Sequence, residues 1–328
     1  MPAGAFIRHD YGVSARPIII DCDPGVDDGV ALLLAFAVPD EIEVLAITTV
    51  AGNVPLDLTA RNARILRTIA EREDVPVFAG ATRPLVRAPA FASEHGPSAF
   101  HGETGLGSLP LVDPGGPLAS GDAADAIIRL AFERPAKSVT LVAVGPLTNV
   151  ALAIRKEPRL AGHLRDIAIM GGARSAGGNI TASAEFNIYA DPDAAAVVFA
   201  STARIVAFGL DVTHQVRTTP DRIARIAALG TPQAAATADL LSFAHGVAEA
   251  MERDGAPIHD PCPIVWLLAP HLFAARPAVV QVETASDLTR GHTAVEFRVD
   301  PATATVSWMT GVDADGVFAI LEGRLAQQ

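Results

Sequence analysis

An α/β fold, built on a mostly parallel central sheet of Rossmann-like type with helices on both faces, is predicted by three features of the chain. Short apolar runs alternate with longer helix-forming segments from residue 17 to about residue 210, the rhythm that winds a parallel sheet. Some of the short runs are unbroken and β-branched, as in Ile18-Ile19-Ile20, which suits strands buried on both faces. Polar residues gather just after these runs, where ligands bind in such sheets. A helical C-terminal portion and a small antiparallel strand pair are expected to complete the fold. No linker interrupts residues 17–328, which read as one domain behind a leading tail of residues 1–16.

In chain order, PIIIDCDPGVDDGVALLLAF (residues 17–36) supplies the first strand, a tight Pro24-Gly25 turn and the first helix. Val44 to Val50 is the second strand, ending in Ala51-Gly52-Asn53; a helix over 58–72 and a third strand over 75–79 follow. Residues 81–118 are rich in Pro and Gly and form a long loop around Phe100-His101-Gly102; its glycines lack the dinucleotide-binding spacing and no strand precedes them. A helix over 122–132, a strand over 138–144 and Gly145-Pro146-Leu147-Thr148-Asn149 opening a helix through Arg155 come next. The strand 167–170 leads into a Gly-rich loop, 171–183, containing Asn179. Glu185-Phe186-Asn187 then precede Asp191-Pro192-Asp193, a helix-start signal. One more strand, 205–210, ends at Asp211; residues 220–253 read as Ala-rich helices. His259-Asp260-Pro261-Cys262 stands before an apolar helix, 264–268, and two alternating strands, 279–284 and 293–299, precede a last helix over 315–325.

A formal charge of -12 and a pI near 5.1 argue against a nucleic-acid backbone or an anionic membrane surface as partner. No apolar run reaches transmembrane length, and the leading tail lacks the apolar core of a signal peptide, so the cytoplasm is the expected location. Two cysteines, Cys22 and Cys262, are too few for a disulfide framework and read as small buried hydrophobes. Trp266 lies within an apolar run and reads as core.

The chemistry is concentrated where the first strand turns into its helix. Asp21, Asp23, Asp27 and Asp28 fall within eight residues, and such carboxylates repel unless protons, cationic side chains or a metal compensate. No Lys or Arg lies inside the motif, so a divalent cation is the economical answer. An EF-hand loop is a poor fit, because its twelfth position would be Leu32 rather than a bidentate Glu. Oxygen donors without thiolates select a hard cation, calcium or magnesium. Amides and acids around it, at Asn53, Asn179, Glu185, Asn187 and Asp260, suit the vicinal hydroxyls of a sugar.

DCDPGVDDG, VAGN, VGPLTN, MGGARSAGGN with EFN, and HDP, together with the closing WMTGVDADGVFAILEGRL, resemble the inosine-uridine preferring nucleoside hydrolases, motif by motif and in order. The resemblance implies a calcium-dependent N-ribohydrolase that splits a small-molecule ribonucleoside into ribose and free base, acting as a homodimer or homotetramer. It implies that Asp23, Asp28, Asp260 and the carbonyl of Val144 hold the calcium, with Asp21 an acceptor behind them. Asp27 would be the base that takes a proton from the metal-bound water, and His259 the acid that protonates the leaving base. Asn53, His101, Asn179, Glu185, Phe186 and Asn187 would bind the substrate. Members active on inosine or pyrimidines often carry tyrosines on the helix before HDP; here LSFAHGVAEAM offers Phe243 and His245 instead. Phe243 could stack on a base but has no proton to donate.

Two other classes share parts of the pattern. A haloacid-dehalogenase-like phosphatase also opens with DxD after its first strand, but leaves GPLTN and HDP unexplained. A non-catalytic sugar or nucleoside binding protein would retain ligand groups while losing the base, and Asp27 is present.

Overall fold

A computed structural model describes residues 15–90 and 98–327. Its strands are β1 (Arg16–Cys22), β2 (Ile42–Thr49), β3 (Val77–Ala79), β4 (Thr140–Ala143), β5 (Asp166–Met170), β6 (Ile205–Phe208), β7 (Phe273–Val282), β8 (Thr293–Glu296) and β9 (Val306–Val312). They form one sheet in the order β3-β2-β1-β4-β5-β6-β9-β7-β8. Pairing is parallel from β3 through β9, while β7 runs antiparallel to both β9 and β8. The first six positions follow the doubly wound order, whose direction of winding reverses between β1 and β4 and opens a crevice at their carboxyl ends.

Period-two alternation in β1 divides the core. Ile18 and Ile20 belong to one apolar cluster, with the helices Val26–Phe36, Pro232–Ala250, Pro261–Leu268 and Ala314–Leu325; Ile19 belongs to the other, with helices Ala123–Phe132, Thr148–Lys156 and Pro192–Phe199. Helices therefore cover both faces, as the alternating pattern predicts. Cys22 and Cys262 are fully buried, free thiols. Trp266 is buried as expected, edge-on to Phe208 at 6.1 Å between ring centroids.

The largest departure from the expected order of elements is β9. Its sequence, VSWMTGV, mixes Ser, Thr and Gly with apolar residues, so no strand pattern marks it. Its place comes from partners: it pairs with β6 on one side and β7 on the other, and fully buried Trp308 fills the space beneath. β7 begins at Phe273 rather than 279, because its first half pairs with β9 and its second with β8. Of the leading tail, residues 1–14 lie outside the described residues, while Arg16 already belongs to β1. Within the long loop, a turn of helix forms at Ser98–His101. No helix among the described residues is long and apolar enough to cross a membrane.

Candidate active site

The crevice at the winding reversal holds the acidic cluster. Asp21 and Asp23 leave the end of β1, and Asp27 and Asp28 occupy the first turn of helix Val26–Phe36, where the positive end of the helix dipole favours anions. Asp28 Oδ2 accepts from the Gly25 N–H at 2.9 Å, and Oδ1 from the Asp23 N–H at 3.2 Å, so this side chain also caps the helix. Carboxylate oxygens of Asp27, Asp28 and Asp260 lie within 4.8 Å of one another. Asp260 arrives from the far end of the chain, at the start of helix Pro261–Leu268.

Asp23 is set against glycines. A Cβ on Gly52 would lie 2.0 Å from Asp23 Oδ2, and one on Gly145 2.6 Å from Asp23 Oδ1. Asp23 Oδ2 accepts from the Asn53 N–H at 2.6 Å, whereas its Oδ1 is buried with no hydrogen-bond partner among the described residues. Burial, reinforced by neighbouring carboxylates, raises the pKa of Asp23 and Asp260 well above the usual range and lifts Asp28 to about 7. An orphaned, buried carboxylate oxygen beside three converging carboxylates fits a cation that would replace the protons. The donors are all oxygen, the chemistry of a hard ion.

Behind them, Asp21 accepts from Thr48 Oγ1 at 2.6 Å and Asn149 Nδ2 at 2.8 Å, both on its Oδ1. Its Oδ2 is buried with no hydrogen-bond partner among the described residues, and burial raises its pKa to about 7. Asn149 also donates to the Thr49 carbonyl and accepts from the Ala81 N–H. It belongs to the quoted GPLTN motif, yet only the geometry reveals that it ties β1, β2 and the loop after β3 together.

The sugar-binding candidates line one cavity of about 170 Å³ with Asp27, Val144, His259 and Asp260. Many of their polar atoms hold one another. Asn53 Nδ2 donates to the Asp23 carbonyl and to Asp28 Oδ2. Asn187 Nδ2 donates to the carbonyls of Val144 and Met170 at 2.8 and 3.1 Å. Glu185 caps the helix Phe186–Ala190, accepting from the N–H groups of Asn187, Ile188 and Gly172, and burial lifts its pKa to about 7. Asn179 Oδ1 accepts from the Phe186 N–H at 2.8 Å.

His101 reaches the site from the long loop. Its Nδ1 accepts from the Val26 N–H at 3.0 Å, satisfying one of the exposed donors of that helix start. His259 lies across the cavity with Nδ1 2.7 Å from Thr213 Oγ1, and burial lowers its pKa. His214, which the sequence reasoning passed over, also lines the cavity, 5.7 Å from His259 between ring centroids. Burial, followed by the charges of His259 and Arg217, lowers its pKa to about 4. Thr213 and His214 follow Asp211 and Val212, a few residues past the end of β6. That is the same position, after a strand, that marks Asn53 and Val144, and this signal was available in the sequence.

The helix Pro232–Ala250 corrects one expectation. Phe243 is not among the cavity-lining residues; it packs on the loop, where a Cβ on Gly107 would lie 2.5 Å from its ring. The wall facing the cavity is Leu241, Ala244, Val247 and Ala248, with Met251 just beyond the helix end. His245 turns to Thr218 Oγ1 at 2.9 Å.

Fold and site together define a doubly wound α/β protein whose strand-end crevice gathers carboxylates that could hold a metal ion. The family model for inosine-uridine preferring nucleoside hydrolases matches residues 18–319. The pyrimidine-specific ribonucleoside hydrolase RihA of Salmonella gallinarum is 43% identical over 316 residues, covering 95% of this chain and 98% of that one. Two solved structures are similar at 30% identity and 95% coverage of this chain. They are a purine-preferring ribonucleoside hydrolase from Gardnerella vaginalis, with TM-score 0.88 and 98% of that chain, and a plant nucleoside hydrolase, PpNRh1, with 0.85 and 99%. The chain belongs to the inosine-uridine preferring nucleoside hydrolase family, and it is an enzyme that hydrolyses ribonucleosides.

Proposed function

We propose that the enzyme is a calcium-dependent N-ribohydrolase in which Asp27 is the general base and His259 assists departure of the nucleobase. The observation that carries this reading is the convergence of the Asp27, Asp28 and Asp260 carboxylates, with Asp23, whose buried Oδ1 has no hydrogen-bond partner among the described residues, close enough to feel the charges of Asp28 and Asp27. Asp23, Asp28, Asp260 and the Val144 carbonyl would hold the calcium; when bound, it supplies positive charge that grips ribose hydroxyls and acidifies water. Calcium acidifies water less than zinc does, so a positioned base is still needed. Asp27, lining the cavity at the helix start, takes a proton from the attacking water. The oxygen bonds to C1′, the C1′–N bond breaks and its electron pair leaves with the base. Asn53, Asn179 and Asn187 orient the sugar, while Glu185 holds the loops that carry them. The surrounding carboxylates favour the oxocarbenium-like transition state. Attack opposite the base inverts C1′.

A pyrimidine is our reading for the base, supported by 43% identity to pyrimidine-specific RihA against 30% to the purine-preferring structure. Family likeness also supports one domain over residues 17–328, a homodimer or homotetramer, and action in the cytoplasm. The test is release of reducing sugar from inosine, adenosine, guanosine, uridine and cytidine, with calcium or with chelator, by the wild type and Asp27→Ala. Uridine and cytidine should be split fastest. Chelation should abolish turnover, and Asp27→Ala should lower kcat by about 10²–10⁴-fold. Undiminished turnover in chelator, or in Asp27→Ala, would overturn the proposed roles.

A further inference from the structure

We infer that Thr213 is the positioning residue that fixes the tautomer of His259, with its hydroxyl donating to Nδ1 and the ring's proton held on Nε2. The inference rests on, and deepens, the proposed role of His259. Thr213 is fully buried, and among the described residues its Oγ1 hydrogen-bonds to His259 Nδ1 at 2.7 Å. A buried hydroxyl whose hydrogen finds no acceptor destabilises the fold. The unprotonated nitrogen of a neutral imidazole is an acceptor, and in this ring it is Nδ1 that stands within reach. Satisfying Thr213 therefore leaves Nε2–H as the donor of His259.

Thr213 is well placed to hold that orientation. It ends the short helix Leu210–Thr213, which is anchored to the neighbouring loop. The Leu210 N–H donates to the Gly172 carbonyl at 2.8 Å, and the Asp211 carboxylate accepts from the N–H groups of Arg174, Ser175 and Ala176 at 2.7, 2.7 and 3.1 Å. The same loop carries Asn179 and Ile180 to the cavity. Sugar-side and base-side groups thus share one support.

In the reaction, Nε2–H donates a hydrogen bond to the base nitrogen as the C1′–N bond breaks and the electron pair passes to the base. The proton that Asp27 removes from water matches the charge on the departing base, which takes it up on release. The sum is nucleoside plus water to ribose plus neutral base, with Asp27 and His259 returned to their starting forms.

The test compares uridine and inosine with 4-nitrophenyl riboside, whose leaving group departs without a donor, in wild type, Thr213→Val, Thr213→Ser and His259→Ala. The nucleoside-to-nitrophenyl ratio of kcat should fall about tenfold or more in Thr213→Val, with KM little changed, and should recover in Thr213→Ser. Long-range ¹H–¹⁵N spectra of wild-type protein labelled in histidine should show His259, identified by its loss in His259→Ala, protonated on Nε2. An Nδ1–H tautomer overturns the inference. So does a Thr213→Val variant with an unchanged ratio when His259→Ala lowers it. If His259→Ala leaves the ratio unchanged, the proposed role of His259 fails, while the spectrum still decides the tautomer.

Discussion

Removing the cation should turn the buried carboxyls into a pH-dependent weakness of the fold. Asp21, Asp28 and Glu185 are each raised to about 7 by burial, from ordinary values near 4. The metal-free native state then binds more protons than the unfolded chain at neutral pH, so stability falls as pH rises through 7. Between pH 6.5 and 8 each of the three loses roughly 1 kcal/mol of its contribution. His214, lowered to about 4, and His101 and His259, also lowered by burial, act in the opposite sense but mainly below the ordinary histidine pKa of about 6.5, so this window largely leaves them out. Unfolding entropy for 328 residues is about 0.7 kcal/mol/K at the usual per-residue value. The metal-free Tm should therefore drop by roughly 4 °C or more from pH 6.5 to 8, since Asp23 and Asp260, also raised by burial, add to the fall. Calcium at a hundred times its Kd adds about 2.7 kcal/mol, or roughly 4 °C, and more at pH 8 than at 6.5 because it displaces protons from Asp28 and its neighbours. Differential scanning fluorimetry of chelator-stripped protein, with and without calcium at both pH values, measures all four states. A metal-free Tm that rises with pH, or one that no divalent cation moves, would refute the reasoning.

Two substitutions probe the supports of the site. Gly145→Ala places a methyl 2.6 Å from Asp23 Oδ1 and 3.0 Å from the Asp23 N–H nitrogen; calcium affinity by titration calorimetry should fall by about tenfold or more, with a stability loss of about 1–3 kcal/mol. Asn149→Leu strips donors from Asp21 and the Thr49 carbonyl and an acceptor from the Ala81 N–H. Urea unfolding should show a loss of about 2–4 kcal/mol, since several buried partners are left unpaired.

Much of this enzyme is legible along the chain. Short apolar runs alternating with helix-forming segments mark the parallel strands, and the winding rule places ligands at their ends, which brings Asp23, Asn53, Val144 and Asn187 into one region. Carboxylate crowding in DCDPGVDD points to a cation on local chemistry alone. What the tertiary structure decided depends on contacts between distant residues. β9 is a strand because β6 and β7 offer it partners, not because VSWMTGV favours one. Phe243 faces the loop glycines rather than the cavity, because helix rotation is set by packing of the whole face. The amide nitrogens of Asn53 and Asn187 serve carboxylates and carbonyls, and Thr213 meets His259 across 46 positions of sequence. Periodicity and motif are properties of neighbours in the chain; hydrogen-bond partners are properties of neighbours in space, and those exist only once the loops after β1, β4, β5 and β6 are folded against one another.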